Sequence, residues 1–327
     1  MNTTMNNHQE CDGKPETEYT HQPVLYREVV AAFDFCRNRP AVIIDGTAGA
    51  GGHSALLLEA NHQLRLIAID RDSAALERAG RRLAFAGERV TLKKGCFSEI
   101  GEIAAECGVN EVDGILLDIG VSSPQIDDPR RGFSWRFDGP LDMRMDRSSE
   151  LTGSRVLNKY SVEALTEIFR NYGELKNPAR FARMIAEARE VKPFATTGDF
   201  AEFCEQTLGK SRKGAPPVPT LPFQALRIAV NDELGELERT LPVALKLLKR
   251  AGHLAVISFH SLEDRIVKNA FKLAAASCIC PPGLPVCCCG KKSEIKILTH
   301  KPIEAGKDEI SANRRSACAK LRIAEKL

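Results

Sequence analysis

No stretch of this 327-residue chain approaches the roughly 20 consecutive apolar residues that a membrane-crossing helix needs, which leaves a soluble globular protein as the expectation. The start, MNTTMNNHQECDGKPETEY, lacks the basic-then-apolar order of an export signal, so residues 1–19 read as a frayed extension of a cytoplasmic protein. An excess of charge of one sign is missing too. The 46 Lys and Arg against 43 Asp and Glu leave a net +3, too little to establish a polyanion partner by itself. Eleven cysteines, an odd number and mostly scattered, do not make the framework of a disulfide-stapled domain. There is no internal repeat.

What is present, 43% hydrophobic and 27% charged residues, suffices for one large domain or two ordinary ones. Short strand-like runs at 41–45, 64–70, 90–93 and 112–118 alternate with SALLLEA, DSAALERAGRRLAFAG and SEIGEIAAECG, whose apolar residues recur at helical spacing. This is the rhythm of a parallel sheet covered on both faces. From about Asp127 it stops. After a loop rich in Arg, Gly and Asp come three helical stripes: Val162, Leu165, Ile168 and Phe169; Phe181, Met184, Ile185 and Ala188; Phe200, Phe203, Cys204 and Leu208. Asn177 ahead of Pro178 and Thr197 ahead of the third stripe supply helix starts. The linker GKSRKGAPPVPTLP follows, and strand character returns at 252–259, 295–300 and 319–324. The expected organisation is an α/β sheet built in two parts, 20–126 and 222–327, with an all-helical insertion at 127–221.

The run VIIDGTAGAGGHS, residues 42–54, is a strand ending in Asp45, a glycine turn and a helix start. Glycines allow backbone to approach a ligand closely, and a helix N-terminus presents free N–H groups. Asp70 ends the next strand, 19 positions after Gly51, where a carboxylate reaches ribose hydroxyls. A dinucleotide enzyme would carry a third glycine where Ser54 stands, and Asp45 sits poorly beside a pyrophosphate. It suits the cationic amino-acid end of S-adenosylmethionine, although Thr47 occupies the place of the first glycine in many methyltransferase loops. These residues favour a methyltransferase over a nicotinamide-dependent oxidoreductase, and a non-catalytic RNA-binding protein on the same fold stays open. The third strand leads to Phe97, which either stacks on an adenine or is ordinary core. The fourth leads to Asp118 and to Ser122-Ser123-Pro124-Gln125, polar groups at a strand end where ligands meet an open sheet. Basic clusters at Arg130, Arg131, Arg136, Arg144 and Arg147, at Lys210, Arg212 and Lys213, at Lys291 and Lys292, and at Arg314 and Arg315 are either solvated faces or a nucleic-acid footprint.

Several long motifs resemble one family. They are HQPVL from His21, DGTAGAGGHS from Asp45, AIDRD from Ala68, LLDIGVSSPQID from Leu116 and RGFSWRFDGPLDMRMD from Arg131, then FQALRIAVNDELGELE from Phe223, ISFHSLEDRIVK from Ile257 and KLRIAE from Lys320. Together they are similar to the bacterial 16S ribosomal RNA cytosine-N4 methyltransferases, the RsmH or MraW family. The resemblance implies a class I (Rossmann-like) S-adenosylmethionine-dependent methyltransferase sheet with an inserted helical domain that recognises substrate. It implies N4 methylation of a decoding-centre (P-site region) cytidine in 16S rRNA of the small subunit, and cofactor contacts at Gly51, Gly52, His53, Asp70, Phe97, Asp118 and Gln125. The chain departs from the family pattern at Pro219-Thr220-Leu221-Pro222 and at 313–318, which bears on substrate contacts there.

Asp118, Ser122 and Ser123 are the expected acceptors for the amine hydrogens, with His260 as either a proton relay or a structural histidine. The loop 130–147 joins arginines to Phe133, Trp135 and Phe137, as an RNA contact or as an aromatic hinge packed on the insertion. No metal is assigned to the methyl-transfer site. Cys278, Cys280, Cys287 and Cys289, spaced C-x-C-x6-C-x-C, read equally as a zinc knuckle or as unliganded thiols. A homodimer stays open.

Overall fold

The structure is a computed structural model, described for residues 22–211, 214–281 and 287–327. The expected extension at 1–19, His21 of the first motif, and Arg212 and Lys213 of the linker lie outside the described residues. Five parallel strands form the centre: β1 (Ala41–Asp45), β2 (Leu64–Asp70), β3 (Val90–Lys94), β4 (Val112–Asp118) and β5 (Leu248–Ser258). Three antiparallel strands complete one side: β6 (Ile295–Ile297), β7 (Ile303–Glu304) and β8 (Lys320–Lys326). The order is β3-β2-β1-β4-β5-β8-β6, with β7 on β8. Reversal of order at β1 and β4 opens a crevice at the carboxyl ends of these strands.

Near-continuous apolar runs in β1, β2 and β4 follow from burial on both faces. One face packs on α1 (Tyr26–Ala32), α2 (Gly52–Ala60) and α3 (Ser73–Leu83), through Val29, Leu58, Ala79 and Leu83. The opposite face packs on α4 (Ile100–Glu106), α11 (Glu233–Leu247) and α12 (Ser261–Ala275), through Ile103, Leu241, Val267 and Phe271. Strand β5 starts earlier than the expected position 252. Lys249, Arg250 and a left-handed Ala251 (φ 62) interrupt its apolar pattern, and the pairing shifts register there between Val112 and Gly114 of β4. Strand β6 is shorter than the expected run to 300.

Between β4 and β5 lie α5 (Ser123–Asp127), α6 (Gly153–Lys159), α7 (Val162–Asn171), α8 (Pro178–Val191), α9 (Thr197–Leu208) and α10 (Thr220–Asn231). The expected stripes of α7, α8 and α9 face one another: Phe169 meets Phe181 edge to face at 4.8 Å, and Phe200 stacks on Phe223 at 5.1 Å. Their core also takes in Phe223, Ala225, Leu226 and Val230, so α10 belongs to the helical layer beyond the expected limit at 221. Thr196 rather than Thr197 caps α9. The Thr196 hydroxyl accepts from the Asp199 amide at 3.1 Å, while Thr197 donates to the Phe137 carbonyl. Asn177 makes no side-chain cap bond, and Pro178 starts α8 as expected. The remaining helix, α13 (Lys307–Ala312), precedes β8. Among the described residues no helix is long and apolar enough to cross a membrane.

Candidate active site

The carboxyl ends of β1, β2 and β4 open onto one cleft of about 1440 Å³, counted to its solvent-open mouth. Gly52, His53, Asp70, Phe97, Asp118, Ser122, Ser123 and Gln125 all line it, so the turns after three separate strands converge. Gly51 does not line it. It is the left-handed N-cap of α2 (φ 76), and a Cβ there would come within 3.3 Å of Ala79 and Leu83 of α3. Its role is to let the loop turn tightly above α3.

The loop is held by the acid of the next strand. Asp70 accepts the Gly49 amide at 2.8 Å and the Asp72 amide at 2.8 Å, one on each oxygen, and each oxygen keeps a lone pair for a hydroxyl. Burial raises the Asp70 carboxyl above its ordinary value against these two bonds. Asp45 does not reach the cleft as expected. It is 1% exposed, accepts from Ser54 Oγ at 2.7 Å and from the Thr47 amide at 3.1 Å, and is pushed up to about 6 by burial. Ser54, which stands where a dinucleotide loop has its third glycine, is thus an internal anchor of the turn.

Asp118, unlike Asp45, lines the cleft. Its amide donates to Thr47 Oγ1 at 2.6 Å, which locks the β4 tip to the glycine loop. One carboxylate oxygen lies 3.5 Å from His53 Nδ1, and the other is buried with no hydrogen-bond partner. His53 Nε2 lies 2.8 Å from the Val24 carbonyl and must be the donor there, so a neutral imidazole turns an acceptor Nδ1 toward Asp118. Burial, with the Glu263 charge, pushes Asp118 up to about 7, and burial lowers His53. No Lys or Arg pairs with Asp118 among the described residues.

Gln125 is buried and bonded at both ends: Oε1 accepts the Ser122 amide at 3.0 Å and Nε2 donates to Asp72 at 2.9 Å. It shapes the turn that presents Ser123, while Ser122 Oγ is buried without a hydrogen-bond partner. Phe97 packs on the sheet core and also lines the cleft, with the Arg71 guanidinium 6.0 Å over its ring. His260 stands apart from the cleft. It caps α12, and its Nε2 sits 3.1 Å from Glu263.

The arginine loop divides. Arg131 is buried, donates to Asp72 at 2.8 Å and to the Arg144 and Met145 carbonyls, and so joins sheet to helical layer instead of facing phosphate. Arg144 forks onto Asp142, and Phe133 is core. Arg136 over Trp135 at 5.7 Å, with exposed Phe137, remains on the surface. Sequence reasoning passed over Glu233, Arg71 and Arg315 as cleft residues. Glu233 and Arg315 lie inside the quoted motif and the departure at 313–318, yet only folding brings them beside β4. Arg227 forks onto Glu233 at 2.8 Å, and Arg315 reaches Asp127 at 2.6 Å.

An acid with open lone pairs at the β2 tip suits a ribose, and an unpaired acid at the β4 tip suits a cation. The group these residues fit is S-adenosylmethionine. With five parallel strands, an antiparallel neighbour and this crevice, fold and site define a class I S-adenosylmethionine-dependent methyltransferase. The chain belongs to the MraW methylase family, whose model matches residues 18–327. It is 47% identical over 315 residues to the ribosomal RNA small subunit methyltransferase H of Heliobacterium modesticaldum, covering 94% of this chain and 99% of that one. To the protein of the same name from Syntrophotalea carbinolica it is 47% identical over 312 residues, covering 94% and 98%. A solved rRNA methylase from Streptococcus thermophilus superposes with a TM-score of 0.41 at 10% identity, covering 92% and 95%, a likeness too slight to carry weight.

Proposed function

We infer that this protein methylates ribosomal RNA of the small subunit, and that its acceptor is the N4 amino group of a decoding-centre cytidine in 16S rRNA. The family and the names of the relatives support the RNA substrate. The observation that carries an amine acceptor is the buried, unpartnered carboxylate oxygen of Asp118 in the open cleft, beside the 122–125 turn.

S-adenosylmethionine, when bound, supplies an already activated methyl group. What remains for the chain is alignment and exclusion of water. Gly52, His53, Asp70, Phe97, Asp118 and Gln125 are assigned to hold or shape the cofactor site, with Gly51 acting through the loop bend. A cytosine amine is a poor nucleophile because its lone pair is conjugated with the ring. Acceptors at its two N–H bonds draw the nitrogen toward tetrahedral geometry and take the departing proton. Asp118 and the hydroxyls of Ser122 and Ser123 are assigned that role. Asp118 suits it because its buried, unpartnered carboxylate oxygen is free to accept an N–H hydrogen. His53 Nδ1 lies beside it as a neutral acceptor.

A paired base cannot present N4 to such a cleft, so the target is unpaired or turned outward. The helical layer, with Trp135, Arg136 and Phe137 on its surface, is assigned to RNA recognition. The test is incubation of undermethylated small subunits with labelled cofactor, followed by mapping of the modified base. Label on a 16S cytidine N4 is expected. RNA binding without transfer would instead make the protein an assembly factor, and label on another atom would remove the amine assignment.

A further inference from the structure

Between the end of α12 at Ala275 and the start of β6 at Ile295 there is no helix or strand among the described residues. A long irregular segment in a compact protein needs something to hold it. Here little apolar surface is buried, and the sulfur atoms gather instead. Cys287 Sγ lies 3.4 Å from Cys278 Sγ, 3.6 Å from Cys289 Sγ and 3.9 Å from Cys280 Sγ, and Cys278 and Cys289 are 3.8 Å apart. All four sulfurs of Cys278, Cys280, Cys287 and Cys289 lie within 4.8 Å of one another, and none is in a disulfide. Four thiolates around one zinc at about 2.3 Å stand about 3.8 Å apart, the edge of the tetrahedron. The observed separations bracket that edge.

Backbone amides point at the sulfurs as well. Ile279 N–H donates to Cys289 Sγ and Cys280 N–H donates to Cys278 Sγ, each at 3.4 Å. Such bonds stabilise negative sulfur and orient ligands around a metal. Residues 282–286, between the two cysteine pairs, lie outside the described residues. The C-x-C spacing is one residue tighter than the usual knuckle, but the chain still brings both pairs together. Cys288 Sγ lies 3.8 Å from Cys280 Sγ but does not belong to the group of four mutually close sulfurs.

We propose that Cys278, Cys280, Cys287 and Cys289 bind one zinc ion as four thiolates, forming a structural site separate from the methyl-transfer cleft that fastens the segment between α12 and β6. Binding releases the thiol protons and leaves a net charge of −2 on the centre, with Lys291 and Lys292 next in the chain. Soft sulfur ligands in a tetrahedron select zinc over harder divalent ions.

The test uses the full chain, purified under reducing conditions without chelator, with metal content measured per chain before and after one equivalent of zinc is added. One zinc per chain is expected, and cobalt exchange should give the absorption of tetrahedral thiolate coordination. Cys289→Ser should lose the metal and Cys288→Ala should keep it. Wild-type stoichiometry needs no variant to fold. Near-zero zinc after zinc addition overturns the site, as does an iron chromophore in its place. Loss of zinc in Cys288→Ala with retention in Cys289→Ser overturns the ligand assignment.

Discussion

Asp72 and Asp118 lie at the same edge of one sheet and have opposite surroundings. Asp72 accepts from the Ala74 amide, Gln125 and Arg131; although burial alone would raise it, these bonds hold it below the ordinary carboxylate range. Asp118 meets only a neutral histidine at 3.5 Å and is pushed up to about 7. A buried polar group with all partners supplied belongs to the architecture, whereas one left without them stores free energy that a ligand can release. At the junction of sheet and helical layer Asn231 is built the first way: it accepts the Met145 amide and donates to the Met143 carbonyl, and its own carbonyl accepts from Arg71.

The largest expected effect comes from breaking the satisfied side. Arg131→Ala removes the one cation of a buried pair and leaves the Asp72 charge without a counter-ion, so unfolding in denaturant should show a loss of about 3–5 kcal/mol. Asp118→Asn should do the reverse. It removes a buried charge that the fold leaves unpaired, so the melting temperature should hold or rise while single-turnover methylation falls about 10²-fold or more. An equal loss of stability in both variants would erase the distinction between the two aspartates.

The same difference has a pH signature. Asp118 has a folded value near 7 against about 3.9 for a free side chain. Its raised value means that the folded state holds more protons between about pH 4 and 7. Its contribution to stability is therefore fully present below about pH 4 and is lost as pH rises through 7. The cofactor-free protein should lose stability over that window more steeply than Asp118→Asn. Conversely, kcat/KM should rise toward a plateau above about pH 7, where the carboxylate is ready to accept. Identical stability profiles of wild type and Asp118→Asn from pH 5 to 8 would contradict the raised value.

Gly51→Ala sets a smaller backbone effect against these. A non-glycine residue at φ 76 costs roughly 1–2 kcal/mol, and its Cβ would also crowd Leu83 at 3.2 Å. Because Gly51 sits behind the cleft, cofactor affinity and stability should decline together. Loss of cofactor binding at unchanged stability would place it at the ligand.

Sequence periodicity exposes most of the sheet because β1, β2 and β4 are buried on both faces and read as apolar runs, and because the Gly49 and Gly51 turn demands positive φ. The strand-tip acids stand out for the same reason: a charge ending an apolar run is visible without coordinates. What periodicity cannot supply is pairing at long range. Asp45 and Asp118 both end apolar strands, and only the bonds from Ser54 and Thr47 show that Asp45 is satisfied. Arg131 meets Asp72 across 59 positions, so a local basic cluster concealed a structural residue. The early start of β5 was hidden by the polar bulge at 249–251, and the reach of the helical core into α10 by a motif whose apolar residues serve two layers.

Adjacent residues offer the finest test of that distinction and the smallest expected change in folding. Arg130 forks onto Asp128 at 2.9 Å, as well formed as Arg131 on Asp72, but its side chain is 85% exposed against 8%. Water screens the first pair and already solvates both partners, so the ion pair adds little. Arg130→Ala should leave the denaturation midpoint unresolved from wild type. If Arg130 also neutralises an RNA phosphate, the slope of log affinity against log salt should fall by about one. An unchanged slope would make Arg130 a solvated surface charge, and a midpoint shift matching that of Arg131→Ala would mean that burial does not separate the two pairs.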